Sequence, residues 1–296
     1  MSQSFLKNLS ANTENVMKYQ NQLSTLKEVS KPSDDPLKVS KILNLNNSII
    51  QNDQYKTTIN DAIQWTNVQD SALSSATESM QRIKTLIQYS ANGTLSSQDR
   101  QANKAEIESE IQGVVDAFNT NFGGRYVFAG KNTTVKPFEV KIDDGKITDF
   151  KYHGTDEGNG NLSREIAPGV SVELNTDGRN LMNAQKSGNL STFFSDVLTA
   201  LDGDNTEKLS SLLDRADQEI ENVVSNRSKT GSIFNRLNAT LERNDSEKLN
   251  LKTMLSENQD IDLAEKYMQY TMESTAYQSA LSMGTKILQT SILDYL

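Results

Sequence analysis

The sequence predicts a mainly α-helical chain: a long antiparallel helical rod or coiled coil built from both chain ends, with a small, mostly β domain inserted in the middle. Three observations carry this. Apolar residues recur at three- and four-residue spacing through both flanks, which is the period of one helix face. Nine of the 15 glycines fall between Gly123 and Gly178, whereas the first 92 residues contain none. Within that glycine-rich middle, apolar residues alternate around an Asp-Gly pair, the pattern of a β-hairpin.

The N-terminal segment carries Phe5, Leu9, Val16, Tyr19, Leu23 and Leu26 at four- and three-residue steps, with Asn12 breaking the series. From Phe5 to Leu26 this heptad seam is roughly 32 Å long at about 1.5 Å per residue. The stripe is narrow and its surroundings polar, so it needs a partner helix to be stable. The C-terminus supplies one, with Tyr277, Leu281, Leu288 and Tyr295 in heptad register, flanked by Met283, Ile287 and Ile292. The methionines are expected to fill core gaps.

SKPSDDPLKV, from Ser30 to Val39, marks a turn followed by a helix start, with Asp35 as N-cap and Pro36 at the first helical position. A long helix follows through Ile42, Leu45, Ile49, Ile59, Ile63, Leu73, Ala76, Met80, Ile83 and Ile87. Asn92-Gly93 ends it, and Ser96 or Ser97 caps the next, which shows Ile107, Ile111, Val114 and Phe118 on one face. Beyond the insert, Leu209, Leu213, Ala216, Ile220 and Val223 form another stripe. A further one begins at Phe234, Leu237 and Leu241 and resumes at Leu251 and Leu255, interrupted at Asn244 and Lys248.

In the insert, Phe138, Val140 and Ile142 lead into Asp143-Asp144-Gly145, and Ile147 leads out. The apolar parity then shifts to Phe150 and Tyr152, which predicts a bulge or strand end near Thr148-Asp149. GTDEGNGN reads as a polar loop and GVSVEL, Gly169 to Leu174, as a further strand. The expected division is residues 1–35 with 260–296 as a terminal coiled-coil domain, 36–129 with 186–259 as a helical rod domain, and 130–185 as an outer β domain.

The stretch FGGRYVFAGKNTTVKPFEV, Phe122 to Val140, joins helix to insert. Its glycines invite a phosphate-loop reading, but Gly130-Lys131 is followed by Asn132 where a P-loop needs Ser or Thr opening a helix. A seam is the better reading. There Gly123, Gly124 and Gly130 permit a turn and close backbone packing, and Tyr126, Phe128 and Phe138 anchor the insert.

Composition bounds the chemistry. The chain has 296 residues, 35% of them apolar, and a formal charge of −9. Its pI of about 4.8 argues against a nucleic-acid partner, which needs a basic face, and against anionic membranes. No run of 18 apolar residues could span a bilayer, and MSQSFLKNLSANTENV lacks the apolar core of a cleaved secretory signal, so any export is expected to use another route. Without cysteine there are no disulfides, thiolate nucleophiles or Cys-ligated metals. His153 is the only histidine, which excludes histidine metal clusters and reduces a His-based triad to this one residue near a strand end. Asp143-Asp144 and Asp156-Glu157 lack calcium-loop spacing and read as turn residues. Trp65 reads as core, and the Asn-x-Ser/Thr triplets at Asn132, Asn161 and Asn189 occur by chance in a chain this rich in those residues. No catalytic, cofactor-binding or metal-ligating residue is expected.

Four stretches together resemble the flagellin-like proteins of the bacterial flagellum. They are the SKPSDDP turn with Pro32, Ser33, Asp34, Asp35 and Pro36; NGTLSSQDR; RYVFAGKNTTVKPF; and the C-terminal IDLAEKYMQYTMESTAYQSALSMGTKILQTSILDYL. The first and last are similar to flagellins generally. The Tyr126 to Gly130 run, with Thr133 and Pro137-Phe138, resembles the hook–filament junction branch of that family, and a length near 300 fits it. The resemblance implies a structural adaptor and no enzyme, with a flagellin-type filament subunit as the alternative. It implies that Phe5, Leu9, Val16, Leu23, Leu26, Tyr277, Leu281, Leu288 and Leu293 pack against equivalent helices of neighbouring subunits to build an inner tube. Implied partners are hook-associated protein 1, flagellin, other copies of the chain in a ring or helical layer, and an export chaperone on the C-terminal helix. An extracellular place in the flagellum is implied too, reached through the flagellar type III channel with uncleaved ends.

Overall fold

A computed structural model of the protein describes residues 2–143, 146–154, 160–184 and 188–293. Among them the long helices are α1 (Ser2–Thr25), α2 (Pro36–Ser90), α3 (Ser97–Phe118), α5 (Leu190–Asp202), α6 (Thr206–Gln259) and α7 (Leu263–Leu293); α4 (Arg179–Met182) is a single turn. The strands form four separate antiparallel pairs: β1 (Asn121–Phe122) with β2 (Arg125–Tyr126), β3 (Phe138–Asp143) with β4 (Lys146–Tyr152), β5 (Leu162–Ala167) with β6 (Val170–Leu174), and β7 (Asn183–Ala184) with β8 (Gly188–Asn189). The chain is thus mainly helical, with a small insert of short antiparallel strands.

The fold divides into two compact units, Met1–Asp53 with Asp245–Leu296, and Gln54–Asn244. Both divisions fall inside helices, in α2 and α6.

The larger unit holds the core. Phe118, Phe128, Phe138, Phe193 and Phe194 are all fully buried, together with Ile59, Leu73, Ile83, Ile87, Ile107 and Ile111. On α2 Ile83 and Ile87, and on α3 Ile107 and Ile111, sit one four-residue step apart, as one face of a helix requires. Ser96 caps α3 by accepting from the Asp99 N–H at 3.2 Å, while its own hydroxyl donates to the Asp99 carboxylate at 2.7 Å. In β3–β4, Lys141 pairs with Asp149 and Ile142 with Ile147, which leaves Thr148 as the extra residue of a bulge. The Asp144-Gly145 turn and Asp156-Glu157 lie outside the described residues.

Three expectations need correction. The two stripes after the insert belong to one uninterrupted helix, α6, of 54 residues. The polar break is occupied: Lys248 Nζ lies 2.5 Å from Asp53 Oδ1 in the terminal unit, and Asn244 is buried in the larger one. Leu26 is not on the N-terminal helix, because α1 stops at Thr25 and Leu26 has a φ of 56°, the left-handed conformation that terminates helices. The methionines are mostly not core: Met80 and Met182 are buried, but Met17, Met254, Met268, Met272 and Met283 are exposed. Strand β5, which follows GTDEGNGN, had no counterpart in the sequence pattern and is the partner of the expected β6.

Helix α5 had no sequence-based expectation, although Leu190, Phe193, Phe194, Val197, Leu198 and Leu201 have a helical spacing and are all buried. Apolar on nearly all sides that matter, it packs against α3 and β4.

Candidate functional site

In the terminal unit α1 and α7 lie side by side and antiparallel. Partners climb one helix as they descend the other: Phe5 abuts Gly284, Asn15 Nδ2 reaches Glu273 Oε1 at 3.4 Å, and Lys266 Nζ lies 5.9 Å from the Tyr19 ring centroid. The pairing continues past both helices, where Lys27 bridges Asp260 and the Glu28 N–H donates to Gln259 O at 2.8 Å. Gly284 is required by closeness: a Cβ there would lie 2.6 Å from Phe5 Cζ.

This unit is poorly buried. Among its described residues, Ile42 and Leu45 are the only buried apolar side chains, and both keep 8% exposure. Large apolar groups face solvent instead, including Leu6, Met17, Leu37, Tyr267, Met268, Met272 at 66% exposed and Met283. Exposed apolar side chains in such number within one unit are the kind of surface that interaction sites use.

Of the sequence-predicted interface residues, Phe5, Leu9, Val16, Leu23 and Tyr277 are half-buried, and Leu26 and Leu281 are exposed. Leu288 and Leu293 lie on α7 with side chains outside the described residues. The exposed methionines and Leu6 were missed, because a heptad reading selects the face that meets the chain's own partner helix. The signal was present in their number: Met268, Met272 and Met283 all fall on α7.

The Ser30–Pro36 turn follows from two adjacent carboxylates. Asp34 Oδ2 accepts from the Ser30 and Lys31 N–H groups at 3.2 and 3.0 Å, closing the turn. Asp35 Oδ1 accepts from Leu37 and Lys38 at 3.1 and 3.0 Å, capping α2 with Pro36 at its first position. Pro32 and Ser33 are exposed in the turn. Lys38 also binds Glu28, and that hydrogen bond, with the nearby lysines, holds the Glu28 carboxyl below its usual range.

The seam is built as a strapped backbone. Gly123 and Gly124, at φ 58° and 81°, make the two-residue turn of β1–β2, a turn that needs positive φ at both positions. Gly130, at φ 68°, donates its N–H to Thr176 O at 2.8 Å. Between them Val127, Phe128 and Ala129 are completely enclosed. Gln69, buried on α2, donates to Val127 O at 3.0 Å and Asn175 O at 2.8 Å, so one amide holds both the seam and the end of β6. Phe128 and Phe138 both meet Phe118 of α3, at ring distances of 6.3 and 5.3 Å, and Tyr126 is half-buried. Asn119 exchanges two hydrogen bonds of 2.9 Å with the Phe138 backbone.

Among the described residues no group of three or more potential ligands could hold a metal ion. His153 Nε2 lies 3.3 Å from Glu139 on an exposed strand end. Trp65 is buried, with its ring edge-on to Phe122 at 6.2 Å.

Comparison with known proteins matches both ends of the chain. The bacterial flagellin N-terminal helical region matches residues 1–133, and the bacterial flagellin C-terminal helical region matches residues 213–296. Flagellar hook-associated protein 3 of Salmonella typhimurium is 26% identical over 305 residues, covering 94% of this chain and 92% of the relative. Flagellin of Listeria monocytogenes is 24% identical over 291 residues, covering 95% and 91%. The crystal structure of the flagellar junction protein from Legionella pneumophila superposes with a TM-score of 0.59 at 13% identity, covering 75% of this chain and all of that one, a likeness of fold.

Proposed function

We infer, from a chain that belongs to the flagellin-like family of the bacterial flagellum, that it is the structural adaptor subunit between the flagellar hook and the filament. The observation that carries this reading is the terminal unit, which leaves Leu6, Met17, Tyr267, Met268 and Met272 in water although α1 and α7 pair with each other. Neighbouring subunits would complete that burial, at about 1.5 to 3 kcal/mol for each large side chain fully covered. We assign the contact to Phe5, Leu9, Val16, Leu23, Leu26, Tyr277, Leu281, Leu288 and Leu293 together with these exposed residues. The three-part division at residues 35, 129, 185 and 259 is part of the same proposal.

The family relationship supports association with hook and filament components, outside the cell body. At finer detail we propose hook-associated protein 1 as the hook-side neighbour, flagellin as the filament-side neighbour, a chaperone on α7 before export, and passage through the type III channel with uncleaved ends. A structural role without catalysis is the corresponding reading for the whole chain. The relation to Listeria flagellin favours one rival, a filament subunit. Deleting the gene decides between them and against unrelated roles: the adaptor reading expects loss of swimming with flagellin monomers shed into the medium, and normal swimming would refute it. Long filaments grown by the purified protein alone would favour the rival.

A further inference from the structure

A cavity of about 250 Å³ opens in the larger unit between α2 and the hairpins β1–β2 and β5–β6, walled by Asp61, Gln64, Trp65, Phe122, Arg125 and Arg164. The two arginines stand apart from most others in the chain. Arg82, Arg100, Arg179, Arg215 and Arg227 each hold a carboxylate. The side chains of Arg125 and Arg164 have no hydrogen-bond or ion-pair partner among the described residues, although the chain carries a net charge of −9 and carboxylates are plentiful. The wall also contains Trp65, 6% exposed, whose indole N–H is buried without an acceptor.

Two cations against the single carboxylate of Asp61 leave this pocket with an excess of positive charge in an acidic chain. A guanidinium is weakly hydrated and presents a planar fork that matches a carboxylate with two parallel hydrogen bonds. Beside Gly123 the pocket wall borders open space, with nothing within 4 Å of where a Cβ would lie. We propose that this pocket binds a carboxylate group, gripped between Arg125 and Arg164, with Gln64 as a neutral neighbour and Asp61 offsetting one of the two cations. The carboxylate comes either from a free dicarboxylate or from an Asp or Glu side chain of a second copy of the chain. The site stands independently of the adaptor reading.

Trp65 is the only tryptophan, so its fluorescence and its indole N–H resonance report this pocket alone. Glutarate titrated into the full-length protein, against sodium chloride of equal ionic strength, should shift both signals saturably. Arg125→Gln with Arg164→Gln should weaken that response at least tenfold with the melting temperature unchanged, and Arg125→Lys should give an intermediate loss because it keeps the charge but not the fork. Sedimentation of wild type and the double variant separates the sources. If glutarate binds and self-association is equal in the two proteins, the ligand is a free dicarboxylate. If self-association falls in the variant and glutarate competes with it in wild type, the ligand is a second copy's carboxylate. No saturable change beyond chloride together with unchanged self-association overturns the proposal.

Discussion

Asp34 and Asp35 are neighbours with separate tasks, one closing the Ser30–Pro36 turn and the other capping α2. Asp35→Ala should cost about 1 kcal/mol, the usual loss for an N-cap, read by urea titration of the terminal unit with the larger unit unaffected. Gly178 is fixed by crowding rather than by conformation: a Cβ would lie 2.6 Å from both Phe128 O and Phe138 Cζ. Gly178→Ala should therefore destabilise the insert by about 1 to 3 kcal/mol, as overpacking of a closed core does, and a melt equal to wild type would contradict this. Beside it, burial works to raise the Asp177 pKa, but the Arg179 side chain and the Arg179 and Gly160 N–H groups outweigh it and hold the carboxyl below its ordinary value. A carboxyl depressed in the folded state adds stability that is complete above the unfolded value, about 4, and drains away as pH falls through the folded one. Wild type should thus lose stability between about pH 5 and lower values more steeply than Asp177→Asn, measured by thermal melts at each pH.

At the scale of elements, legibility followed periodicity. The boundaries of α2, its cap at Asp35 and the bulge at Thr148 could be read directly, since capping chemistry and strand parity are local signals. The continuity of α6 could not, because Lys248 in its polar break is paired with Asp53, far away in sequence. Helix α5 was legible in its spacing but hidden beside an insert read as β. Its weight is testable: Phe193→Ala removes a fully buried ring in contact with Phe194 and should cost about 3 to 5 kcal/mol, seen in the larger unit's unfolding. For α1 and α7 the pairing was legible from two heptad stripes, and the exposed methionine face was not, because periodicity finds the seam within one chain and is silent about faces kept for another. Gly284→Val should push Phe5 off α7 and speed amide exchange in both terminal helices, leaving the larger unit's melt unchanged.

For the whole molecule, stability and assembly are assigned to different parts of one chain. The unit Gln54–Asn244 owns nearly all the buried apolar side chains, so it should fold and melt as a monomer does, cooperatively. The terminal unit keeps its apolar groups for neighbours, so its order should depend on them. Leu9→Asp with Met272→Asp should leave circular dichroism of the larger unit intact yet abolish incorporation into flagella seen by electron microscopy. The most direct measurement is hydrogen exchange by mass spectrometry on the free protein and on the same protein incorporated at the end of a flagellum. The account predicts fast exchange over residues 2–25 and 263–293 in the monomer and strong protection after incorporation, with the α2–α3–α5 core protected in both. Equal protection of the terminal helices in both states would contradict it.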